Sequence, residues 1–526
     1  MERLYLKYED ELLRNKKYLI LSSFISIYIF LPEFIIADMY LIVIFMSFLS
    51  FFFLSKISKF LFIFVSFFTL LYNSIVLHII LHWGNAVIGS RIQTGILSPK
   101  HESLEYINTY IEFKDIITLS YFLIGIFLFY RLLLLAQNSY KIIKITALFL
   151  LLLLICLLSS LGIMKILLPY KYIDDIQVAN QWKDIADMRK EYLEKKSHIN
   201  KKGNLLYDKI IIIIGESANK HHMGIYNYKI DTTPFLSKLL KKSNSYKFDN
   251  IIASSNQTRY AVPLALTDAK VENFYNFASS ESLINYFKSY GYKTYWLSNQ
   301  FTLGKHDSYI SSIAKESDYS AFANFVYEDG GKATTKYDIE LLNQLNQDKI
   351  KDSSKELYIF HLLGSHFQYK KRYPKSHRLF QNPKNIVEEY DNTIYYTDYV
   401  ISEIYKKFNN TNFLFIYLSD HGEVVNLKGS GHGFFPTYKD EYDTPLVVYS
   451  SLNNKRIDKL KERNISHTFN MESFNNIVKF IIGKSNNFED ISNNSHILVI
   501  DPKNIKDYNS LNTFEYQLSN KQNKLK

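Results

Sequence analysis

Glu216 stands directly behind five consecutive isoleucines in KIIIIIGES, and Asp420 and His421 stand directly behind a second apolar run in NFLFIYLSDHGE. A five-residue β-branched run is too short to cross a bilayer and disfavours helix, so it reads as a buried strand of a parallel sheet. In open α/β sheets the working groups gather past the carboxyl ends of the strands. The two runs are therefore expected to bring two carboxylates and an imidazole to one edge. A third run, LYIFHLL, carries His361 and is followed by His366, while His432 lies in the glycine-rich GSGHG after Asp420. Thr258 sits in SSNQTRYAVPLAL, where a polar loop becomes a helix, which places its hydroxyl at the positive helix end. Carboxylate, imidazole and hydroxyl make a mixed N/O donor set that suits Zn²⁺ or Mn²⁺. Threonine is a poor nucleophile at neutral pH, but a dication lowers its pKa and aligns it for in-line attack on phosphorus. His366 and His432 could then bind phosphoryl oxygens or carry protons.

Taken singly, each residue has an ordinary reading: a capping acid, a threonine N-cap, surface or core histidines. The conjunction of all four segments at predicted strand ends carries the case. His78, His82 and Cys156 fall inside apolar stretches and read as packed bundle residues.

The elements that must position these groups occupy the last two thirds of a 526-residue chain, and the first third is mostly apolar. Five stretches, at 18–37, 39–55, 59–81, 115–136 and 143–167, approach the roughly 20 residues of a spanning helix. No small-residue cleavage site follows the first, which reads as a retained anchor. Lys and Arg concentrate in the N-terminus, the 56–59 turn and the 131–144 loop, which places those in the cytoplasm. The 82–114 loop and everything after Leu168 then lie outside. Lys and Arg exceed Asp and Glu by 11, an excess read as membrane topology and lipid contact with no nucleic acid. One cysteine permits no internal disulfide. Residues 1–168 are thus expected as a five-helix transmembrane domain, 169–204 as amphipathic connecting helices, 205–502 as an α/β domain with a mainly parallel central sheet, and 503–526 as a polar tail. Strands are expected at 209–214, 293–298, 357–363, 413–418 and 444–449.

The order GES with TTPFL, NQTRYAVPLAL, GSHFQYKKRYP, YDNTIYYTDYVISEI and SDHGE with GHG behind it resembles the membrane phosphoethanolamine transferases of the alkaline phosphatase superfamily. The resemblance covers essentially the whole chain and implies an alkaline-phosphatase-like catalytic domain in the periplasm, held by a multi-pass anchor in a bacterial inner membrane. It implies metal ligands at Glu216, Thr258, Asp420 and His421, Thr258 as nucleophile, and phosphoryl or substrate contacts at His361, His366 and His432. The outer-loop stretch IQTGILSPKHESLEY resembles the family's donor-contacting segment, with Thr94, Ser98 and Glu102 at the matching places. The implied reaction moves phosphoethanolamine from phosphatidylethanolamine, through a phospho-threonine, to lipopolysaccharide core, lipid A or another envelope glycan. The lipid A–directed branch carries disulfides around the site; their absence here leans the acceptor towards core sugar, another glycan or a protein. A lipoteichoic-acid-synthase-like glycerol phosphate transferase shares the plan, and NQTRYAVP and YYTDYVISEI separate the two. A sulfate-ester hydrolase would need C/S-x-P-x-R, which Thr258-Arg259-Tyr260 lacks. From a different class, a non-catalytic membrane-anchored binding protein would be marked by loss of a ligand, and none is missing.

Overall fold

The computed structural model describes residues 59–83, 115–135, 187–195, 203–301, 309–324, 336–345, 354–434, 436–484 and 493–515, with isolated positions elsewhere. The chain divides into two units, residues 1–96 with 106–179, and residues 97–105 with 180–526.

In the first unit two of the five expected spans are described, as α1 (Lys59–Trp83) and α2 (Asp115–Leu135). Phe64, Phe68, Leu71 and Ile75 on α1, and Ile116, Leu119, Leu123 and Phe127 on α2, are exposed, as a lipid-facing surface requires. Among the described residues, Asp115–Leu132 is long and apolar enough to cross a membrane. The two helices pack closely because Gly125 faces Leu70: a Cβ there would stand 2.5 Å from Leu70 Cδ1. His78 Nδ1 lies 2.6 Å from Asp115 Oδ1, so this histidine joins the two helices. The expected spans at 39–55 and 143–167, and most of 18–37, lie outside the described residues.

In the second unit the expected strands all form. They are β1 (Lys209–Gly215), β2 (Ser245–Lys247), β3 (Lys293–Phe301), β4 (Tyr319–Asn324), β5 (Glu356–His361), β6 (Phe413–Ser419) and β7 (Leu446–Ser450), joined in the order β2-β7-β6-β1-β5-β3-β4. Only β7 runs against its neighbours; the pairs β1–β5, β1–β6, β3–β5 and β3–β4 are parallel. Alternation of side chains explains the continuous isoleucine run. Ile210, Ile212 and Ile214 enter one core, with Tyr260 and Val262 of α3 (Thr258–Leu266), and Ile211 and Ile213 enter the other. The second core is covered by α4 (Ile386–Phe408), whose buried residues include Tyr390, Ile394, Val400 and Ile404. Each fully buried isoleucine side chain contributes about 2–3 kcal/mol. Helix α4 starts where Asn385 accepts from the Glu388 N–H at 3.0 Å, and ends with Lys406 and Lys407 at its negative pole.

One segment refines its sequence reading and one differs from it. Residues 187–195 are helical, as expected of a connector, but Arg189 is buried and ion-paired to Glu316 at 2.6 Å, with Nη1 also bonded to the Ser280 carbonyl. The connector is thus amphipathic, with Arg189 buried against the second unit and Lys190 and Lys195 exposed. Residues 503–515, expected in a tail, continue the fold: Asp501–Asp507 pairs antiparallel with His496–Val499, and the Phe514 ring packs tilted against Phe434 and edge-on to Tyr438. The lysine content hid a hairpin whose apolar partner strand is buried.

Asp398 of α4 accepts from the N–H groups of Phe235 (2.6 Å) and Leu236 (2.9 Å), and burial pushes its carboxyl up to about 7. A carboxyl raised in the folded state holds a proton that the unfolded chain has released between about pH 4 and 7, so folding stability falls as pH rises through that window. Asp398→Asn is expected to flatten this slope by up to about 1.4 kcal/mol per pH unit, read from urea midpoints of the full chain in detergent at pH 5 to 8. An unchanged slope would assign the titration to other groups.

Candidate metal and phosphoryl site

Strands β1 and β6 are neighbours, so the residues that follow them meet. Asp420 N–H bonds Gly215 O at 3.1 Å, and Ser365 N–H, past the end of β5, bonds Glu216 O at 2.9 Å. The chain leaves β1 through Ser217, a non-glycine residue with φ 56°, in the left-handed region where strain is stored at functional turns. Tyr390 of α4 secures that turn, donating to Ser217 O (2.6 Å) and accepting from Asn219 N–H (2.8 Å). Gly364, with φ +49°, presses on Glu216 so closely that a Cβ would lie 2.8 Å from its carbonyl oxygen. Asp338 fixes this loop by accepting from Leu363 N–H (2.8 Å) and Gly364 N–H (2.9 Å).

Thr258 is the first residue of α3. Its Oγ1 lies 3.2 and 3.3 Å from the Glu216 carboxylate oxygens and 3.2 Å from His421 Nε2. Glu216, Asp420 and His421 are buried and offer donor atoms all within 4.8 Å of one another. Asp420 Oδ1 accepts from Ser217 N–H (3.0 Å) and His421 N–H (2.7 Å), whereas Oδ2 is buried without a hydrogen-bond donor. His421 Nδ1 is 2.8 Å from Gly422 O. A carbonyl can only accept, so Nδ1 carries the hydrogen and Nε2 is turned to the carboxylates, 3.3 Å from both Glu216 Oε1 and Asp420 Oδ2.

The electrostatics show the same deficit of positive charge. Burial and then the Glu216 charge push Asp420 up to about 7. Against burial, Asp420 and Glu216 push His421 up to about 10. Burial would raise Glu216, but the hydrogen bond and charge of His421, with the charges of His366 and His432, hold it well below the usual carboxylate range. Two buried carboxylates thus compete for one imidazolium. An orphaned carboxylate oxygen, an imidazole nitrogen facing inward and a hydroxyl on the same point fit a divalent cation of the N/O-binding kind.

Around this point, His432 Nδ1 is 2.7 Å from Glu423 Oε2, and Glu423 Oε1 accepts from Tyr369 O–H at 2.7 Å. The His432 ring lies 4.3 Å from that of His421, centroid to centroid. The structure therefore brings Glu216, Thr258, Asp420, His421 and His432 together, with His366 close enough for its charge to act on Glu216. His361 is placed differently. It is the last residue of β5 but points into the core, 5.7 Å from the Trp296 ring, and burial pushes it down to about 4, so it is neutral there. Thr94, Ser98 and Glu102 lie outside the described residues.

Sequence reasoning passed over three polar side chains in this region. Gln300 Nε2 donates to Glu216 Oε2 (3.0 Å) and Leu362 O (2.9 Å). It stands at the end of β3, so the strand-end rule would have found it. Glu423 was visible only as the last letter of SDHGE. Glu441 has no local signal at all.

The second unit matches the sulfatase family over residues 208–477, just over half the chain. Phosphoethanolamine transferase EptC of Escherichia coli (strain K12) is 30% identical over 261 residues, 46% of this chain and 45% of that protein. Phosphoethanolamine transferase EptA of Helicobacter pylori is 31% identical over 263 residues, 46% of this chain and 47% of that protein. The chain spans about half the length of the curated relatives it matches. The integral membrane lipooligosaccharide phosphoethanolamine transferase A of Neisseria meningitidis shares the fold over 90% of this chain and 97% of its own, with a TM-score of 0.57 at 16% identity. With an α/β sheet whose strand ends gather Glu216, Thr258, Asp420 and His421, and with the family match running from the first residue before β1 to α-helical residue 477, the chain belongs to the sulfatase family.

Proposed function

We propose that this chain is a phosphoethanolamine transferase, taking phosphoethanolamine from phosphatidylethanolamine onto Thr258 and passing it to an envelope acceptor. The observation that carries the reading is the hydroxyl of Thr258, 3.2–3.3 Å from a carboxylate and an imidazole that form part of a metal donor set. The names of the two relatives and the absence of C/S-x-P-x-R support it over sulfate-ester hydrolysis.

Glu216, Thr258, Asp420 and His421 would hold a Zn²⁺ or Mn²⁺ ion, which when bound lowers the threonine pKa and neutralises charge on the phosphoryl group. In the first step Thr258 Oγ1 gives up its proton and forms the new P–O bond as the bond from phosphorus to the diacylglycerol oxygen breaks, and that oxygen takes up a proton to leave as diacylglycerol. In the second, an acceptor hydroxyl or phosphate oxygen bonds to phosphorus and gives up the proton it carries, while the bond from phosphorus to Thr258 Oγ1 breaks and that oxygen takes up a proton to restore the hydroxyl. His432, held through Nδ1 by Glu423, and His366 would move these protons or bind the phosphoryl oxygens. Gln300 and Ser217 orient the Glu216 carboxylate by donating to its two oxygens, at 3.0 and 2.8 Å.

The apolar stretches of the first unit suit a multi-pass inner-membrane protein with its catalytic unit in the periplasm, where a lipid donor and an envelope glycan, lipopolysaccharide core or lipid A are both at hand. The missing disulfides lean the acceptor towards core sugar or another glycan.

Incubation of the purified chain with Zn²⁺ and phosphatidylethanolamine, with phosphatidylglycerol in parallel, is expected to add a phosphoethanolamine group to the intact mass, mapping to Thr258. A gain only from phosphatidylglycerol would move the protein to the glycerol phosphate transferases. No gain from either with metal bound would favour a non-catalytic binding protein.

A further inference from the structure

The short turn Lys439–Glu441 touches the chain beside three different site residues. Glu441 is fully buried and accepts five hydrogen bonds: at Oε2 from Gly433 N–H (2.5 Å), Phe434 N–H (3.0 Å) and Asn256 Nδ2 (3.0 Å), and at Oε1 from Thr437 O–H (2.7 Å) and Tyr438 N–H (2.8 Å). Its backbone carbonyl accepts from Gly422 N–H at 2.9 Å. Gly433 and Phe434 directly follow His432, Asn256 is two positions before Thr258, and Gly422 directly follows His421. Asn256 is itself buried, and its Oδ1 is committed to Ile500 N–H at 3.0 Å, so it cannot turn away. Five donors saturate a carboxylate, so Glu441 has nothing left to offer a substrate. A neutral amide in its place would set N–H groups against N–H donors and lose several of these bonds.

We propose that Glu441 is a positioning residue for the transfer reaction: it fixes the spacing between Thr258 and His432 while touching neither. The inference rests on the phospho-threonine reading above. It makes the loop 431–434 and the start of α3 one rigid body, so that a phosphoryl group on Thr258 stays within reach of the His432 imidazole. Displacement by about an ångström of groups aligned for reaction costs roughly 10²-fold, which sets the scale.

The test compares Glu441→Gln, His432→Ala and the double variant, each as the full chain with Zn²⁺. Formation of phospho-threonine from phosphatidylethanolamine and its discharge to acceptor are followed separately in single turnover. Glu441→Gln is expected to slow the same half-reaction that His432→Ala slows, by about 10- to 10²-fold, with the dependence on phosphatidylethanolamine concentration unchanged within about twofold and zinc content retained. Because Glu441 acts through His432, the double variant is expected to be no slower than His432→Ala alone. Equal slowing by Glu441→Gln with and without His432 would overturn the inference, as would an unchanged rate. If Glu441→Gln does not fold, Asn256→Ala cuts the link to the nucleophile loop alone and must show the same non-additivity; a wild-type rate there would overturn it. Absence of phospho-threonine in the unmodified chain would instead overturn the transferase reading itself.

Discussion

Thr258→Ala is expected to reduce phosphoethanolamine transfer on the order of 10⁴-fold or more while leaving the second unit folded. The Oγ1 of Thr258 is placed against both the Glu216 carboxylate and His421 Nε2, so removing it removes the atom to which phosphorus would be joined. The cost to the fold is small. The hydroxyl's hydrogen bonds contribute roughly 1 kcal/mol, partly offset because alanine has the better helix propensity at the first position of α3. Thr258→Ser keeps the oxygen and is expected to retain measurable transfer. Intact mass after incubation with donor, read beside the melting temperature, separates chemistry from folding. Donor turnover that persists in the alanine variant would remove Thr258 from the mechanism.

Asp420→Asn carries the second large effect, and its signature is a change of sign. With Oδ1 serving backbone donors, Oδ2 is the atom that faces the other ligands, and the asparagine amide would bring N–H groups to a place where a cation belongs. Zinc affinity is expected to fall on the order of 10³-fold and transfer with it. Without metal, however, the variant is expected to melt above the unmodified chain, because it relieves two buried carboxylates of their mutual repulsion while Asn Oδ1 keeps the backbone bonds. With Zn²⁺ at about 1,000 times its dissociation constant the order reverses, since the unmodified chain gains about 4 kcal/mol by mass action and the variant gains almost none. Melting curves with and without zinc test this directly. A variant less stable than the unmodified chain under both conditions would mean that Asp420 is a structural acid.

The strand ends were legible because burial of a parallel sheet writes itself into composition: a continuous isoleucine run has few other uses, and acids behind such runs have a short list of places to go. Glu216, Asp420 and His421 follow from that logic alone. Thr258 does not, since a threonine at a helix start is common, and its assignment needed the ordered motifs of a resemblance. His361 shows the limit of the strand-end rule. The residue closes β5, but the two-residue alternation that buries Leu357 and Ile359 turns it towards Trp296, and only the register reveals that. Glu441 could not be placed because no periodicity encodes it and its bond to Asn256 spans 185 positions, whereas Gln300, at the end of β3, was within reach of the strand-end rule. The lysine-rich stretch after Asp501 misled for the opposite reason: exposed lysines on an edge hairpin look like a disordered tail when the buried strand beside them is not known.

The pairing of β1 with β6 has a consequence for how the protein matures. Ser217 and Asp420, which bond at 3.0 Å, stand 203 residues apart in the chain, while Thr258 and Glu216 are 42 apart. The donor set therefore does not exist in a nascent or unfolded chain; it comes into being when the sheet closes, late in a topology rich in distant contacts and slow for that reason. A metal ion held by that donor set, as proposed, could not guide the early search, but it would withdraw the finished sheet from the refolding equilibrium. Metal supply would then set not only how many molecules are active but how many survive proteolysis long enough to become so.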